Sequence, residues 1–249
     1  MANVIERGDI YFFYRPRKGE EHPTGLDEIQ RAYFILSPKK GGKHRLLVLG
    51  HKKLPEIVPG ETSGEERVWA FIAAVSEDPR DLLKDLGAAV EGGEESETSE
   101  QLPRPAGEGK YALVGHEDHT HLAYALELPR DPGPVQEELD IGKQASYVIS
   151  VKNPEQRTRR AGLDEAPEYP KELRELFGKH NWIAVRRPEL LDYENVQVLL
   201  IGAREDPEKE LGVKLSPEKE TEASAEIFSD LKLDREREPV APLTKGEWR

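Results

Sequence analysis

Three histidines fall close together in the run GHEDHTH: His116, His119 and His121. Neutral imidazoles ligate zinc and similar divalent ions, and they titrate near neutral pH, so three on one surface could hold a metal or move protons. Whether they share a surface depends on the chain around them. Residues 110–129, KYALVGHEDHTHLAYALELP, alternate on both sides of Glu117-Asp118 and read as a β-hairpin. With those two residues at the tip, His116 faces His119, Val114 faces His121, Leu113 faces Leu122 and Tyr111 faces Tyr124. Side chains alternate along a strand, so one face carries Tyr111, Leu113, Leu122, Tyr124, Leu126 and Leu128. The other carries Ala112, Val114, the three histidines, Ala123 and Ala125. Directly opposed Cβ atoms lie roughly 5 Å apart, so His116 and His119 can touch. The candidate metal site is therefore His116, His119 and His121. Two points weigh against it. Polar residues belong at a solvated hairpin tip whatever their role. Glu-Asp also suits a type I′ turn poorly, because both central residues need positive φ.

Composition narrows the classes. The 249 residues are enough for one large or two modest domains. Forty-nine acidic against 36 basic residues give a net charge of −13, which argues against a broad basic face for nucleic acid and leaves only a local groove. There is no cysteine, so disulfides, a thiolate nucleophile and a cysteine-type zinc site are excluded. No apolar run approaches the ~20 residues that span a bilayer, and the N-terminus lacks the features of a signal peptide. The expectation is a cytoplasmic protein with no membrane association.

The elements that would position these residues follow from pattern and punctuation. Asp9–Arg15, Arg31–Ser37, Arg45–Gly50, Ala145–Val151, Trp182–Val185 and Asn195–Ala203 read as strands beside the hairpin. The first is aromatic on both faces, which predicts that both are covered. Residues 67–75, RVWAFIAAV, fit a strand or a buried helix equally. Asp78–Leu86 reads as a helix capped by Asp78 with Pro79 at its first position, and Tyr169–Phe177 as another. Residues 91–109 are acidic and rich in Gly, Ser and Pro, the composition of a flexible linker. From residue 205 the chain is charged but keeps apolar anchors at Phe228, Leu231 and Trp248, so this tail is expected to dock in part. Arg157, Arg159 and Arg160 form one small basic group, and Arg186 with Arg187 a second; either could meet a phosphate.

The segments RGDIYFFYRP and QRAYFILSP, followed by RLLVLG, resemble the start of PemK/MazF-type toxins. The matching residues are Arg7, Gly8, Asp9, Ile10, Leu36, Ser37 and Pro38, over about the first fifty residues. That resemblance implies an SH3-like barrel and RNA cleavage, with Arg15 or Arg17 in place of the family's basic loop arginine. Gly8-Asp9 followed by Phe12, Phe13 and Tyr14 is also similar to PUA- and EVE-like barrels, which implies RNA or modified-base binding by stacking and backbone contacts. The whole chain resembles uncharacterised bacterial proteins sharing RGDIYFFYRP and SVKNP.

These readings combine into an α+β protein, mainly antiparallel β, with two small barrel-like SH3/PUA-like units and a few short helices. The expected boundaries are 1–90, a linker at 91–109, a second unit at 110–204, and a tail at 205–249. The expected function is a non-catalytic binding module whose ligand is RNA, a nucleotide or a protein, with Tyr14, Arg15 and Arg17 as ligand-binding candidates. The alternative is a metal-dependent or RNase-like enzyme using the histidine cluster. No cofactor is expected, apart from a divalent metal such as zinc in that second case.

Overall fold

The structure is a computed structural model that describes residues 2–58, 66–86, 102–156, 165–235 and 239–248. Nine strands run through it: β1 (Asn3–Pro16), β2 (Ile29–Pro38), β3 (His44–Leu49), β4 (Arg67–Ser76), β5 (Arg104–His116), β6 (His119–Leu128), β7 (Gln144–Lys152), β8 (Trp182–Ala184) and β9 (Gln197–Arg204). Their order is β6-β5-β1-β2-β3-β4-β9-β7-β8, and β6 also pairs with β7. Eight antiparallel strands therefore close into a barrel, which leaves no long open edge to template aggregation. β8 lies outside the closure. It continues along the edge of β7 where β6 ends, pairing with Ser150–Lys152. Strands from residues 1–90 and from residues 110–204 alternate around this one barrel, so the two expected units are one closure. The joining ladders are β1 with β5 and β4 with β9.

An eight-stranded barrel is just wide enough for side chains to fill. Here aromatic rings fill it. Phe12, Tyr14, Phe34, Tyr111, Tyr124 and Tyr147 belong to one buried cluster. Tyr124 stacks on Tyr147 at 6.1 Å and meets Phe12 edge-on at 5.2 Å. Both ends are plugged. At the end carrying the hairpin tip and the β2–β3 turn, Tyr169, Leu173, Phe177, Leu190 and Leu191 complete the same cluster. They come from α3 (Lys171–Glu175) and the chain after it. We call this end the crown. At the other end α2 (Pro134–Glu138) contributes Val135, and Trp248 packs edge-on against Tyr14 at 5.1 Å.

The outer wall is covered as well. Alternation turns Tyr11, Phe13, Tyr33 and Ile35 outward, where α1 (Pro79–Leu86), α5 (Glu226–Asp230) and α6 (Ala241–Lys245) bury them with Leu82, Ile227, Phe228, Leu231 and Leu243. β1 is thus aromatic on both faces because both are buried. On the β5–β6 wall, Ala112, Val114 and Ala123 lie under Leu211 and Val213, which follow from α4 (Pro207–Leu211). The tail docks, as the anchors predict.

Several expectations need correction. Residues 104–109 are not linker: they open β5 and are buried, because the small residues of RPAGEG let β5 pair closely with β1 and β6. Residues 91–101 and the Arg157–Arg160 group lie outside the described residues. Residues 67–75 are a strand, held by ladders to β3 and β9 on both sides. The hairpin has the derived register from Tyr111↔Tyr124 to His116↔His119. Leu128 leaves the inner face, because a bulge opposite Glu108/Gly109 gives Glu127 no partner and turns Leu128 into the outer cluster. Gly8 of the RGD segment is required by space. A Cβ there would collide with the Ser37 carbonyl oxygen and the Tyr111 ring.

Candidate functional site

A filled, plugged barrel has no internal room for a ligand, so chemistry must sit on its rim or wall. The crown gathers three features. The first is the hairpin tip. Glu117 takes positive φ (52°) in a two-residue turn, which supplies only part of what a type I′ turn asks. His116, His119 and His121 share the outer face. His119 is exposed, His116 half-buried and His121 buried. The rings of His116 and His121 lie 6.1 Å apart at 72°. Burial, with His116 and His119 nearby, pushes His121 down to about 4, so it is neutral at pH 7. The three histidines share a surface, but they are not a preformed chelate. Among the described residues, the only set of three metal-type ligand atoms within 4.8 Å of one another is Asp9, Glu226 and Asp230.

The second feature is a groove of about 410 Å³ lined by Trp182, His180, Leu176, Arg186 and Arg187 among others. Trp182 stands on β8, half-buried. Trp69 meets its ring edge-on at 4.9 Å, and the Lys152 ammonium lies 5.0 Å from its centroid. Leu176, 44% exposed, is the one large apolar side chain left open to water among the described residues. Arg186 ties the groove to the hairpin tip by donating to the Glu117 carbonyl at 3.1 Å.

The third feature is a cleft of about 510 Å³ between the β2–β3 turn and residues 188–192, with Arg7, Lys39 and Lys40 on its rim. Gly41 and Gly42 both take positive φ there, so the turn needs glycine. Arg45 forms its floor and is fully buried. Its guanidinium donates to both Glu6 oxygens at 2.6 and 3.0 Å and to Asp192 Oδ1 at 2.8 Å. Tyr111 Oη donates to Glu6 Oε1 at 2.7 Å. Burial alone would lower the Arg45 pKa, but Glu6 outweighs it, so the charge persists and is internally neutralised. The rim lysines, not Arg45, are available to a ligand. Residues 186–192 form the wall common to groove and cleft.

Asp9, Glu226 and Asp230 sit lower on the wall, under α5. Their cation is already present: Lys110 Nζ is 3.0 Å from Asp9 and 3.2 Å from Glu127, and it also pairs with Glu226. Burial pulls this ammonium down, but the carboxylates outweigh it and hold it charged. Beside it Glu108 accepts the backbone N–H groups of Ile227 at 2.8 Å and Glu226 at 3.3 Å, and burial lifts its carboxyl to about 7. This cluster fastens the tail.

The ligand-binding trio does not assemble. Tyr14 is fully buried inside the barrel, because alternation sends it inward while Arg15 goes outward. Arg15 donates to the Leu86 carbonyl and lines a separate wall cleft with Arg31, Tyr33 and Phe71. Arg17 is exposed in the loop after β1. The Trp69–Trp182 pair and the Arg45 and Lys110 networks went unforeseen. For the networks a signal existed: Arg45 and Lys110 interrupt apolar strand runs. For the tryptophans there was none, since β4 and β8 are joined only through the closed sheet. Comparison with protein-family models, curated proteins and solved structures finds no match for this chain.

Proposed function

We propose that the protein is a non-catalytic binding module that takes single-stranded RNA on its crown. The observation that carries this reading is the groove in which Trp182 lies beside Arg186 and Arg187, backed by Trp69 and Lys152. Single strands are held by bases stacking on aromatic rings while basic side chains follow the phosphates. The groove offers both, and an exposed Leu176 for further apolar contact. Lys39, Lys40 and Arg7 in the neighbouring cleft extend the basic track past residues 186–192. The net charge of −13 fits a local track and not a broad basic face. An SH3- or PUA-like kinship belongs to the same reading, since PUA-like barrels bind RNA by stacking and backbone contacts. A protein partner is the competing ligand.

The test is a fluorescence-anisotropy titration of the full chain with labelled oligouridine at several salt concentrations. Trp182→Ala should weaken binding by roughly 1–3 kcal/mol, the usual worth of one stacked base. Arg186→Ala with Arg187→Ala should lower the salt slope by about one. Absence of saturable binding, or binding that both variants leave unchanged, removes this reading.

A further inference from the structure

The RNA reading makes no use of His121, and the surroundings of that residue point elsewhere. His121 is buried on the outer wall, and its Nδ1 has no hydrogen-bond partner among the described residues. A buried, unpaired polar atom is costly, so its neighbours matter. The nearest charged neighbour is Glu210, whose Oε1 lies 3.8 Å from that nitrogen. The carboxylate is held in place. Ser146 Oγ donates to its Oε2, and Arg204 Nε lies 3.2 Å from Oε1. Glu210 stands on α4, whose start is fixed by Asp206 accepting the Lys209 N–H at 3.0 Å. His116 completes the group, with its ring 6.1 Å from that of His121.

We infer that His116, His121 and Glu210 form a binding site for a divalent transition-metal ion such as zinc, with water completing its shell. Two ligand atoms on one tetrahedral zinc lie roughly 3.4 Å apart, so His121 Nδ1 and Glu210 Oε1 already stand near the required spacing. Two imidazoles and a carboxylate are ordinary zinc donors, and a chain without cysteine can offer nothing softer. The third ligand has to close in. His116 sits half-buried at the end of β5, where its ring can turn toward the ion. Arg204 holds the Glu210 oxygen that the ion needs. Its side chain is 35% exposed and can swing into water as the ion replaces it. The backbone on both sides is fixed by the barrel wall, which keeps the cost of ordering the site low. This inference does not rest on RNA binding.

The test uses the full chain stripped with chelator and titrated calorimetrically with zinc, with cobalt as an optical probe. One equivalent of zinc should bind, and the cobalt form should show the visible absorption of a four-coordinate site. His116→Ala and Glu210→Gln should each weaken zinc binding about tenfold or more, while His51→Ala, at an exposed loop position, leaves it unchanged. His121→Ala should abolish it. Circular dichroism checks that this buried variant folds, and the other two carry the test if it does not. The inference is overturned by no saturable zinc binding, by equal affinity in His116→Ala and Glu210→Gln, or by an equal loss in His51→Ala.

Discussion

Arg45 is the side chain whose charge costs most to place and which is most completely compensated. It is fully buried with Glu6 and Asp192 on its nitrogens. Removing one partner of such a pair leaves a buried charge exposed to no solvent, at about 3–5 kcal/mol. Glu6→Gln should cost that much in urea unfolding, and Arg45→Met, which removes the charge and keeps the volume, should cost less. Near-equal stability of Glu6→Gln and the parent would mean that Asp192 alone suffices. Glu108 is the residue whose titration should be visible. Its carboxyl titrates near 4.5 when unfolded and near 7 in the folded protein. The folded state therefore holds the proton more firmly. That contribution is complete below about pH 4.5 and is lost as pH rises through about 7, on the order of 3 kcal/mol in all. Glu108→Gln, which cannot titrate, should flatten the dependence of melting temperature on pH in this window. An unchanged slope would place the titration on another group.

Among the elements, the β5–β6 hairpin shows how far alternation carries. Each of its apolar positions from Tyr111 to Tyr124 was assigned a face from period and turn length alone, and the ladder agrees. Leu122→Ala should accordingly cost about 2–5 kcal/mol, because it empties space in the barrel core. His119→Ala, at an exposed tip, should stay within about 0.5 kcal/mol. A large loss at His119 would give the tip a structural role that its exposure does not suggest. The rule stops at Glu127, where the bulge turns Leu128 outward. A bulge is set by the partner strand, and nothing in LELP announces it. The same limit explains Arg104–Gly109. Their small and proline residues read as linker by composition, yet in the ladder those residues are what allow β5 to approach its neighbours, as the close approach of Gly109 to Ala125 shows. Tyr14 was misplaced for the opposite reason: an aromatic beside arginines looks like a binding platform, but alternation puts it on the inner face.

At the scale of the whole molecule, closure decides what can be functional. The single strands were legible, and so was the antiparallel β class. The joining of the two halves into one barrel was not, because the β1–β5 and β4–β9 pairings are long-range choices with no local signal. Closure also demands a cover on the outer wall, which the tail supplies through Phe228, Leu231 and Leu243. Burial of each such side chain contributes roughly 1.5–3 kcal/mol. A chain ending at Glu222 should therefore melt well below the full chain. An unchanged melt would show the outer cluster to be dispensable.

The central claim is that the crown carries the ligand site, and photocrosslinking measures it most directly. Oligouridine bearing 4-thiouridine is bound to the full chain, irradiated, and the crosslinked peptides are mapped by mass spectrometry. Crosslinks should fall at Trp182 and within residues 180–190, with a second group at the β2–β3 turn around Lys39 and Lys40, and should vanish at high salt. Crosslinks confined to the wall cleft of Arg15 and Arg31, or spread evenly over the surface, would contradict it.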